Sequence, residues 1–384
     1  MIESKLPQVS ESIFSVMGKM AVDYNAINLS QGFPNFPSDP ALIALVEKAM
    51  TDGFNQYAPM PGDLELRKEI SSKTEKLHNF RYNPETEITL TAGATQAIFT
   101  ILSATIKSED EVIIFTPAYD CYAPTVELFE GKVVPVQLYP PHFQVNWQEV
   151  ENSITDKTKM IIINSPHNPT GMLFSKEDML ELQKLVLKHN LLLLSDEVYE
   201  HIIFDGEQHE SAARYPELAA RSFITASFGK TFHNTGWKMG YCVAPENLMN
   251  EFRKVHQFVV FCINHPMQKA LATYLKDEDN YRHLPDFYQQ KRDLFLNLMK
   301  GSKFKMIPAK GTYFQILDYS EISNESDIDF SKKLLTKHGV ATIPTSVFNV
   351  GGEDFKQIRV CFAKTDETLA NAAEILKKIS KENF

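Results

Sequence analysis

The chain has 384 residues, of which 39 are Lys or Arg and 49 are Asp or Glu, giving a formal net charge of -10 at pH 7. A single hydrophobic core stops growing at roughly 250 to 300 residues, so this length predicts two domains. The negative charge repels phosphate backbones and anionic membranes, and no local basic patch is evident. We therefore expect a small-molecule substrate, and neither a nucleic acid nor a membrane as a partner.

The cysteine spacing and the N-terminal residues indicate the cellular compartment in which the protein is expected. The spacing of the cysteines contains no Cys-x-x-Cys pair, which argues against a zinc ribbon or a disulfide framework and predicts buried thiols at Cys121, Cys242, Cys262 and Cys361. Charged and polar residues interrupt residues 1–20, so no signal peptide is expected. No stretch approaches the roughly 18 apolar residues of a membrane span. The sequence predicts a cytoplasmic protein without a metal site.

From about residue 87 onward, short apolar runs alternate with amphipathic segments such as 94–107 and 176–189. Runs of this length and composition are typical of buried strands, and the segments between them have helical periodicity. The alternation predicts an α/β fold, with a mainly parallel, doubly wound sheet and helices on both faces. The predicted strands are Ile88–Thr91, Glu111–Phe115, Met160–Asn164, Leu191–Ser195, Phe223–Ser227 and Met239–Ala244.

After about residue 285 the pattern changes to a helix, a strand at 313–317, a helix, a strand at 357–362 and a final helix. This order predicts a smaller α+β domain. Residues 28–36 are rich in turn-forming residues, which indicates an ordered loop rather than a free tail. We expect an N-terminal segment, 1–40, that packs on the small domain, a large domain, 41–284, and a C-terminal small domain, 285–384.

Lys230 is the most informative single residue, because it stands in Ser-Phe-Gly-Lys-Thr at 227–231 and is followed by Thr-Gly-Trp-Lys-Met-Gly-Tyr at 235–241. A lysine that forms a Schiff base with a cofactor aldehyde needs a desolvated amine, a nearby phosphate-binding group, and glycines or other small residues that leave room for a ring. The segment supplies residue types suited to all three needs.

Two other motifs, and a plain surface lysine, compete with this interpretation. A P-loop ending at Gly229-Lys230-Thr231 requires a glycine five positions before Gly229, where the chain has Ile224. The Ser-x-x-Lys spacing from Ser227 to Lys230 also fits penicillin-binding acyl enzymes. Their Ser-Asp-Asn and Lys-Thr-Gly elements are missing, since the chain offers only Ser-Asp-Glu at 195–197 and Lys-Gly-Thr at 310–312. The acyl enzyme remains a distant alternative.

Polar residues follow three of the predicted strands. Residues 164–168 are Asn-Ser-Pro-His-Asn, residues 195–199 are Ser-Asp-Glu-Val-Tyr, and Ser227 to Lys230 end a later strand. Each group has an ordinary alternative: a turn at 168–171, a helix cap at Asp196, a core ring at Tyr199. Ligands of an open α/β sheet bind beyond the carboxyl ends of its strands, so we expect these side chains to converge on one crevice.

These motifs, together with Pro-Thr-Gly at 169–171, resemble those of the class I pyridoxal-phosphate aminotransferases of fold type I, and the likeness covers nearly the whole chain. Gln-Gly-Phe-Pro at 31–34, Asn-Gln-Tyr-Ala-Pro at 55–59 and Lys-Val-His-Gln at 254–257 are similar to the kynurenine and glutamine transaminase branch. The strongest likeness is to bacterial members that prefer methionine.

The resemblance implies pyridoxal 5'-phosphate as the cofactor and Lys230 as its Schiff-base lysine, which also moves the substrate α-proton. Asp196 would pair with the pyridine nitrogen and keep it protonated, so that the ring withdraws electrons. Asn168 and Tyr199 would hydrogen-bond the ring hydroxyl oxygen, and Tyr119 would stack on the ring.

The resemblance also implies a phosphate site at the start of a helix, where free N–H groups and the helix dipole favour an anion, formed by Gly93, Ala94 and Thr95. Ser227 and Lys238 would complete it. Many family members have arginine where this chain has Lys238, and lysine lacks the bidentate fork of arginine. Tyr57 would reach the phosphate from the neighbouring subunit, which implies a homodimer with shared active sites.

Arg359 would bind the substrate α-carboxylate, a role that suits the paired donors of a guanidinium, and Gly32 and Asn168 would contact the same group. Four aromatic residues lie in segments that the family brings near the substrate, although each is equally well a core residue: Phe14, Phe258, Phe261 and Phe348. An aromatic pocket without a second arginine favours methionine, phenylalanine, tyrosine, glutamine or kynurenine over aspartate.

The expected reaction is a ping-pong transfer of the amino group to a 2-oxo acid. A carbon–sulfur β-lyase that acts on cysteine conjugates is the alternative within the same fold, because it shares the chemistry of Lys230. A non-enzymatic regulator that binds the cofactor is a more distant alternative, because such proteins usually carry a DNA-binding domain ahead of the position of Gln31-Gly32, where this chain has no room for one.

Overall fold

The computed structural model describes residues 3–381, and the elements below are numbered in chain order. The strands are β1 Ile27–Asn28, β2 Ile88–Thr91, β3 Glu111–Thr116, β4 Lys132–Gln137, β5 Thr158–Asn164, β6 Leu192–Asp196, β7 Ser222–Ser227, β8 Gly240–Val243, β9 Phe314–Asp318, β10 Val340–Ala341, β11 Ile343–Pro344 and β12 Gln357–Cys361.

The helices are α1 Ile13–Asp23, α2 Pro40–Thr51, α3 Leu64–His78, α4 Gly93–Thr105, α5 Tyr122–Leu128, α6 Trp147–Asn152, α7 Lys176–Lys188, α8 Pro216–Ala219, α9 Phe228–Thr231, α10 Glu246–Val259, α11 His265–Tyr274, α12 Asp279–Arg282, α13 Leu284–Leu298, α14 Asp327–His338 and α15 Asp366–Ile379. Short 3₁₀ turns cover Ala212–Arg214, Thr235–Trp237 and Ser346–Phe348.

A seven-stranded sheet in the order β2-β8-β7-β6-β5-β3-β4 forms the centre of the fold. Its strand pairs are parallel except those of β8, which runs antiparallel to both β2 and β7. Alternate residues of β3 enter two different cores: Val112 packs on one face of the sheet and Ile113 on the other. Both faces are therefore covered, and the predicted α/β fold is confirmed.

A second, three-stranded antiparallel sheet in the order β11-β12-β9 lies in the C-terminal part, where Arg359 of β12 is opposite Ile316 of β9. The N-terminal segment contacts this part, because β1 pairs in parallel with β10 and the Leu29 carbonyl accepts a hydrogen bond from the Cys361 amide. These contacts support the three-part division of the chain, whose boundaries stay predictions.

The structure differs from the expected elements in two respects. Strand β4 is absent from the predictions because Pro135 interrupts its apolar pattern, which a strand at the sheet edge tolerates. Of the cysteines, Cys242 and Cys361 are buried as expected, whereas Cys121 and Cys262 are partly exposed. Within residues 3–381, no helix is both long enough and apolar enough to cross a membrane.

Candidate active site

A cavity of about 310 Å³ opens where the carboxyl ends of β5, β6 and β7 meet the start of α4 and strand β12. This position is the one that open α/β sheets use for ligands. Thirteen of the predicted site residues line the cavity: Phe14, Gly32, Gly93, Ala94, Thr95, Tyr119, Asn168, Asp196, Tyr199, Ser227, Lys230, Lys238 and Arg359. Their convergence is a feature of the structure, while the role of each remains a prediction.

Lys230 lies in the short helix α9, directly after β7, and its amine points into the cavity. The Nζ atom donates a hydrogen bond of 3.1 Å to the Gly32 carbonyl and lies 5.6 Å from the ring centres of both Tyr199 and Tyr313. Burial lowers the pKa of this amine to about 8, because desolvation disfavours its charged form. At pH 7 roughly a tenth of the amine is therefore neutral and nucleophilic, far more than for an exposed lysine.

Asp196 ends β6 and is only 3% exposed. Burial raises its pKa to about 6, while a 2.5 Å hydrogen bond donated by the Tyr122 hydroxyl opposes that rise. The carboxyl is therefore mainly ionised at pH 7, yet no cation forms an ion pair with it among the described residues. A desolvated carboxylate facing a cavity favours a cationic group of a ligand as its partner.

The start of α4 faces the same cavity. Its N-cap position, Ala92, makes no side-chain cap, so the first N–H groups of the helix remain available to an anion. Gly93 has φ +75°, and a Cβ atom there would lie 3.4 Å from Lys238 Nζ, so a side chain at this position would crowd the space beside that amine. Lys238 itself forms no ion pair with any residue in the described range. This corner can hold a phosphate.

Arg359 of β12 is 1% exposed and lacks a carboxylate partner in the part of the chain that the structure describes. Its Nη1 donates to Asn168 Oδ1 at 2.7 Å and its Nη2 to the Ser30 carbonyl at 3.0 Å, while its Nε has no partner. Burial lowers the pKa of the guanidinium to about 10, so it remains charged at pH 7. A buried, incompletely paired guanidinium is suited to bind a carboxylate.

Three aromatic rings surround this guanidinium. Its Cζ atom lies 3.9 Å from the ring centre of Phe314, 5.1 Å from that of Phe348 and 5.2 Å from that of Phe14. Rings at these distances attract a cation and exclude water from it. Whatever carboxylate binds Arg359 would therefore have an aromatic wall beside it.

The remaining predicted residues lie in the loops after β3, β5 and β6. The backbone amide of Asn168 donates to Asn164 Oδ1 at 2.7 Å, and Asn164 Nδ2 in turn donates to the backbone carbonyl of Asp196 at 2.9 Å. Burial raises the pKa of the Tyr199 and Tyr119 hydroxyls, so both stay protonated and can donate hydrogen bonds. The Asn164 side chain thus links the loop that bears Asn168 to the strand that bears Asp196.

Four predicted positions do not line the cavity of their own chain, and three of them are exposed. Tyr57 is 83% exposed, and Phe258 and Phe261 are 85% and 47% exposed. The rings of Tyr57 and Phe261 meet edge to face at 5.6 Å, so two of the three belong to one surface patch. Phe348 is buried beside Arg359 rather than in the cavity wall.

The sequence analysis missed three residues that shape the site. Phe314 lines the cavity and stacks on Arg359, Tyr122 hydrogen-bonds Asp196, and Tyr313 donates to the Gly32 carbonyl at 2.6 Å. Gly32 reflects the same crowding, because a Cβ atom there would lie 2.7 Å from Phe314 Cζ. An aromatic pair directly after Gly311-Thr312 was the available signal for two of these residues.

The arrangement places an amine of lowered pKa, an ionised carboxylate, an anion site and a buried guanidinium around one cavity. Such a set can hold a phosphorylated aromatic aldehyde together with a carboxylate-bearing substrate. Among the described residues, no cluster of His, Cys, Asp and Glu could hold a metal ion.

Comparison with known proteins identifies the family. The family model "Aminotransferase class I and II" matches residues 24–376. Methionine aminotransferase of Escherichia coli is 44% identical over 98% of each chain, and a kynurenine–oxoglutarate transaminase of Dictyostelium discoideum is 34% identical over 96% of this chain and 94% of its own.

Solved structures agree with the sequence comparison. An Escherichia coli methionine aminotransferase superposes with a TM-score of 0.96 at 44% identity, covering 98% of this chain and 99% of its own. An N-succinyldiaminopimelate aminotransferase of Mycobacterium tuberculosis gives 0.94 at 32% identity, covering 99% of this chain and 100% of its own. Since both the family model and these relatives span nearly the whole sequence, this chain belongs to the class I and II aminotransferases.

Proposed function

We propose that this aminotransferase uses pyridoxal 5'-phosphate to move the amino group of methionine, or of another large neutral or aromatic L-amino acid, to a 2-oxo acid. The observation that carries the proposal is the shared cavity in which Lys230 Nζ, the Asp196 carboxylate and the start of α4 face one another. Each of the three lacks a partner of matching chemistry among the described residues. The amine suits an aldehyde, the carboxylate suits a protonated pyridine nitrogen, and the N–H groups at the start of α4 suit a phosphate.

The residues present fit this cofactor. The uncapped N–H groups of Gly93, Ala94 and Thr95 and the amine of Lys238 would hold the phosphate, with Ser227 as a further donor. Asp196 would hold a protonated ring nitrogen, and Asn168 and Tyr199 would donate to the ring oxygen. When bound, pyridoxal phosphate supplies an aldehyde that condenses with amines and a ring that accepts the electron pair left at the substrate α-carbon.

Lys230 is assigned two tasks, which its surroundings support. Its partly neutral amine would hold the cofactor through the aldehyde. With the substrate amine in its place, Lys230 would be free to take the α-proton at Nζ and to give it up again within the same half-reaction. The Gly32 carbonyl keeps that atom inside the cavity at 3.1 Å. The same amine would serve both halves of the ping-pong reaction, since one site accepts the amino acid and then the 2-oxo acid.

Arg359 is assigned to the α-carboxylate that amino acid and 2-oxo acid share. Its charge, its burial and its unpartnered Nε support this role, and Gly32 and Asn168 lie against the same space. Binding a group common to both substrates orients each α-carbon toward Lys230, which is the positioning that catalysis requires.

The side-chain preference rests on two supports. Among the described residues that line the cavity, Arg359 is the one arginine, and Phe14 and Phe314 supply an apolar wall. A distal carboxylate would have no matching guanidinium in that set, and burying it unpaired is costly. The 44% identical relative is a methionine aminotransferase, which makes methionine the first choice.

A homodimer belongs to the proposal because Tyr57 does not line the cavity of its own chain. The exposed patch of Tyr57 and Phe261 would face the partner subunit, so that Tyr57 reaches the phosphate of the partner's cofactor. Tyr57 is 83% exposed, and aromatic residues are enriched where chains associate.

A direct assay separates transamination from its alternative. Purified enzyme supplied with the cofactor is incubated with L-methionine and a 2-oxo acid, and the oxo acid of methionine is quantified by chromatography. The same preparation is incubated with a cysteine conjugate, and pyruvate and ammonia are measured. We expect the oxo acid of methionine as the main product; release of pyruvate and ammonia at a higher rate would identify a β-lyase instead.

A further inference from the structure

The Gly32 carbonyl accepts two hydrogen bonds that no motif predicts. One comes from Lys230 Nζ at 3.1 Å and the other from the Tyr313 hydroxyl at 2.6 Å. Tyr313 is fully buried, with an exposure of 0%, and stands one layer behind the cavity wall. The same oxygen therefore connects a buried phenol to the reactive amine.

Tyr313 has little freedom to do anything else. Its backbone is fixed by the Phe362 amide, which donates to the Tyr313 carbonyl at 2.9 Å. Its ring is held by neighbours on three sides, with ring centres 5.0 Å away at Phe314, 5.2 Å at Tyr199 and 5.7 Å at Tyr288. A side chain packed in this way loses no further rotamer entropy when its hydroxyl bonds, so the bond to Gly32 is pre-organised.

Gly32 lies in a loop, and a loop carbonyl is normally free to rotate away from a ligand. Here the Tyr313 hydroxyl holds the carbonyl oxygen by one hydrogen bond, and the Lys230 amine, which lies in the cavity, donates the other. The Lys230 amine also lies 5.6 Å from the centre of the Tyr313 ring, so both parts of the tyrosine act on the same amine. The Tyr313 hydroxyl also forms a hydrogen bond with the Tyr199 hydroxyl, whereas Tyr313 itself does not line the cavity.

We propose that Tyr313 is a positioning residue, which shares the Gly32 carbonyl with Lys230 and thereby sets where the amine lies and how readily it is neutral. The proposal rests on the assignment of Lys230 above and adds a residue to that machinery. A carbonyl oxygen has two lone pairs, and a strong second donor reduces the electron density that it offers to the first.

Removing only the hydroxyl has a defined sign. In Tyr313→Phe the ring remains, and the part-buried Gly32 carbonyl keeps Lys230 as its remaining donor. The other charged and titratable groups that act on the Lys230 amine are unchanged: Asp196, Lys238, Arg359 and Cys361. A hydrogen bond to a charged form favours that form, so a stronger bond from the Lys230 ammonium to Gly32 stabilises the ammonium relative to the neutral amine and raises the pKa of Lys230. A rise of about half a pH unit in the midpoint lowers the neutral fraction at pH 7 by roughly threefold.

The test uses the cofactor-free protein, so that it does not depend on turnover. Lys230 is labelled with a limiting amine-specific acylating reagent at a series of pH values, and the labelled peptide is quantified by mass spectrometry. The pH midpoint is compared between the parent protein, Tyr313→Phe and Tyr288→Phe. The last is a matched control, because Tyr288 is an equally buried neighbour whose hydroxyl contacts His233 Nδ1 at 2.8 Å and not Gly32.

We expect the midpoint to rise in Tyr313→Phe and to stay at the parent value in Tyr288→Phe. An unchanged or lower midpoint in Tyr313→Phe overturns the proposal, as does an equal rise in both variants, which would mark a general loss of packing. Thermal unfolding of both variants shows whether the comparison is made between folded proteins. If Tyr313→Phe does not fold, 3-fluorotyrosine placed at position 313 keeps the ring and makes its hydroxyl a stronger donor, so the midpoint is expected to fall; an unchanged or higher midpoint there overturns the proposal. Failure of the cofactor assignment would instead appear as a missing visible band in the loaded parent, which leaves the labelling result unaffected.

Discussion

Replacing Arg359 by lysine tests the substrate site while keeping its positive charge. The guanidinium donates to Asn168 and Ser30 and retains Nε and further N–H groups for a carboxylate, whereas a lysine amine has three donors at one point. Lysine cannot keep both protein contacts and form a bidentate pair. We expect the variant to lose one or two charge-assisted hydrogen bonds to substrate.

The magnitude follows from those bonds. Each hydrogen bond to a charged group contributes about 1.5–3 kcal/mol, so the variant should lose about 2–4 kcal/mol of transition-state binding. This corresponds to a decrease of roughly 30-fold to 1,000-fold in kcat/KM, since about 1.4 kcal/mol is tenfold. Because amino acid and 2-oxo acid share the α-carboxylate, both half-reactions should decrease.

The assay is single-turnover kinetics of each half-reaction over a range of substrate concentrations, with cofactor binding followed separately. Arg292→Lys is the control, because Arg292 is also buried, at 3% exposure, but pairs with Asp205 outside the cavity. That variant should lose stability and keep its kcat/KM for methionine. A kcat/KM of Arg359→Lys within about threefold of the parent would refute the assignment of Arg359.

Three further variants probe other parts of the site. Lys230→Met should abolish turnover and still bind the cofactor without a covalent bond. The same variant should change the free energy of unfolding, because burial lowers the Lys230 pKa from 10.5 to about 8. The buried ammonium therefore destabilises the parent protein below pH 8, and this cost disappears above pH 10.5. The cofactor-free variant should therefore be more stable than the parent by about 2–3 kcal/mol at pH 7, with the difference shrinking from pH 8 to 10.5 in urea titrations. Asp196→Asn should reduce kcat by about a hundredfold or more, the scale of removing one partner from a buried ion pair; near-normal turnover would exclude pairing with a ring nitrogen. Tyr57→Ala should weaken cofactor binding several-fold and remain a dimer, as measured by analytical ultracentrifugation. A parent protein that sediments as a monomer would contradict the shared site.

Much of the large sheet could be predicted because its strands are buried on both faces. Such strands are short continuous apolar runs, and the prediction for Ile88–Thr91 matches β2 to the residue. Strand β4 is half-exposed at the sheet edge and contains Pro135, so its local pattern carries no strand signal. The antiparallel direction of β8 depends on pairing with strands far away in sequence, which no local pattern encodes.

The residues of the site were predictable where the chemistry sits at strand ends. Asp196 and Lys230 follow apolar runs directly, and a parallel sheet brings such ends together. Tyr122 could not be predicted, because it acts through a contact with Asp196, which is distant in sequence. The aromatic pair after Gly311-Thr312 pointed to Tyr313, but not to its contact with Gly32. Phe258 and Phe261 were expected near the substrate, but in their own chain they lie on its surface.

The most direct test of the account is the absorption spectrum of the purified, cofactor-loaded protein before and after addition of L-methionine without any 2-oxo acid. We predict that the visible band of the bound pyridoxal form is lost and that the near-ultraviolet band of the pyridoxamine form replaces it. A visible band that methionine leaves unchanged would contradict the proposed substrate, and a protein that shows no cofactor band at all would contradict the assignment of Lys230.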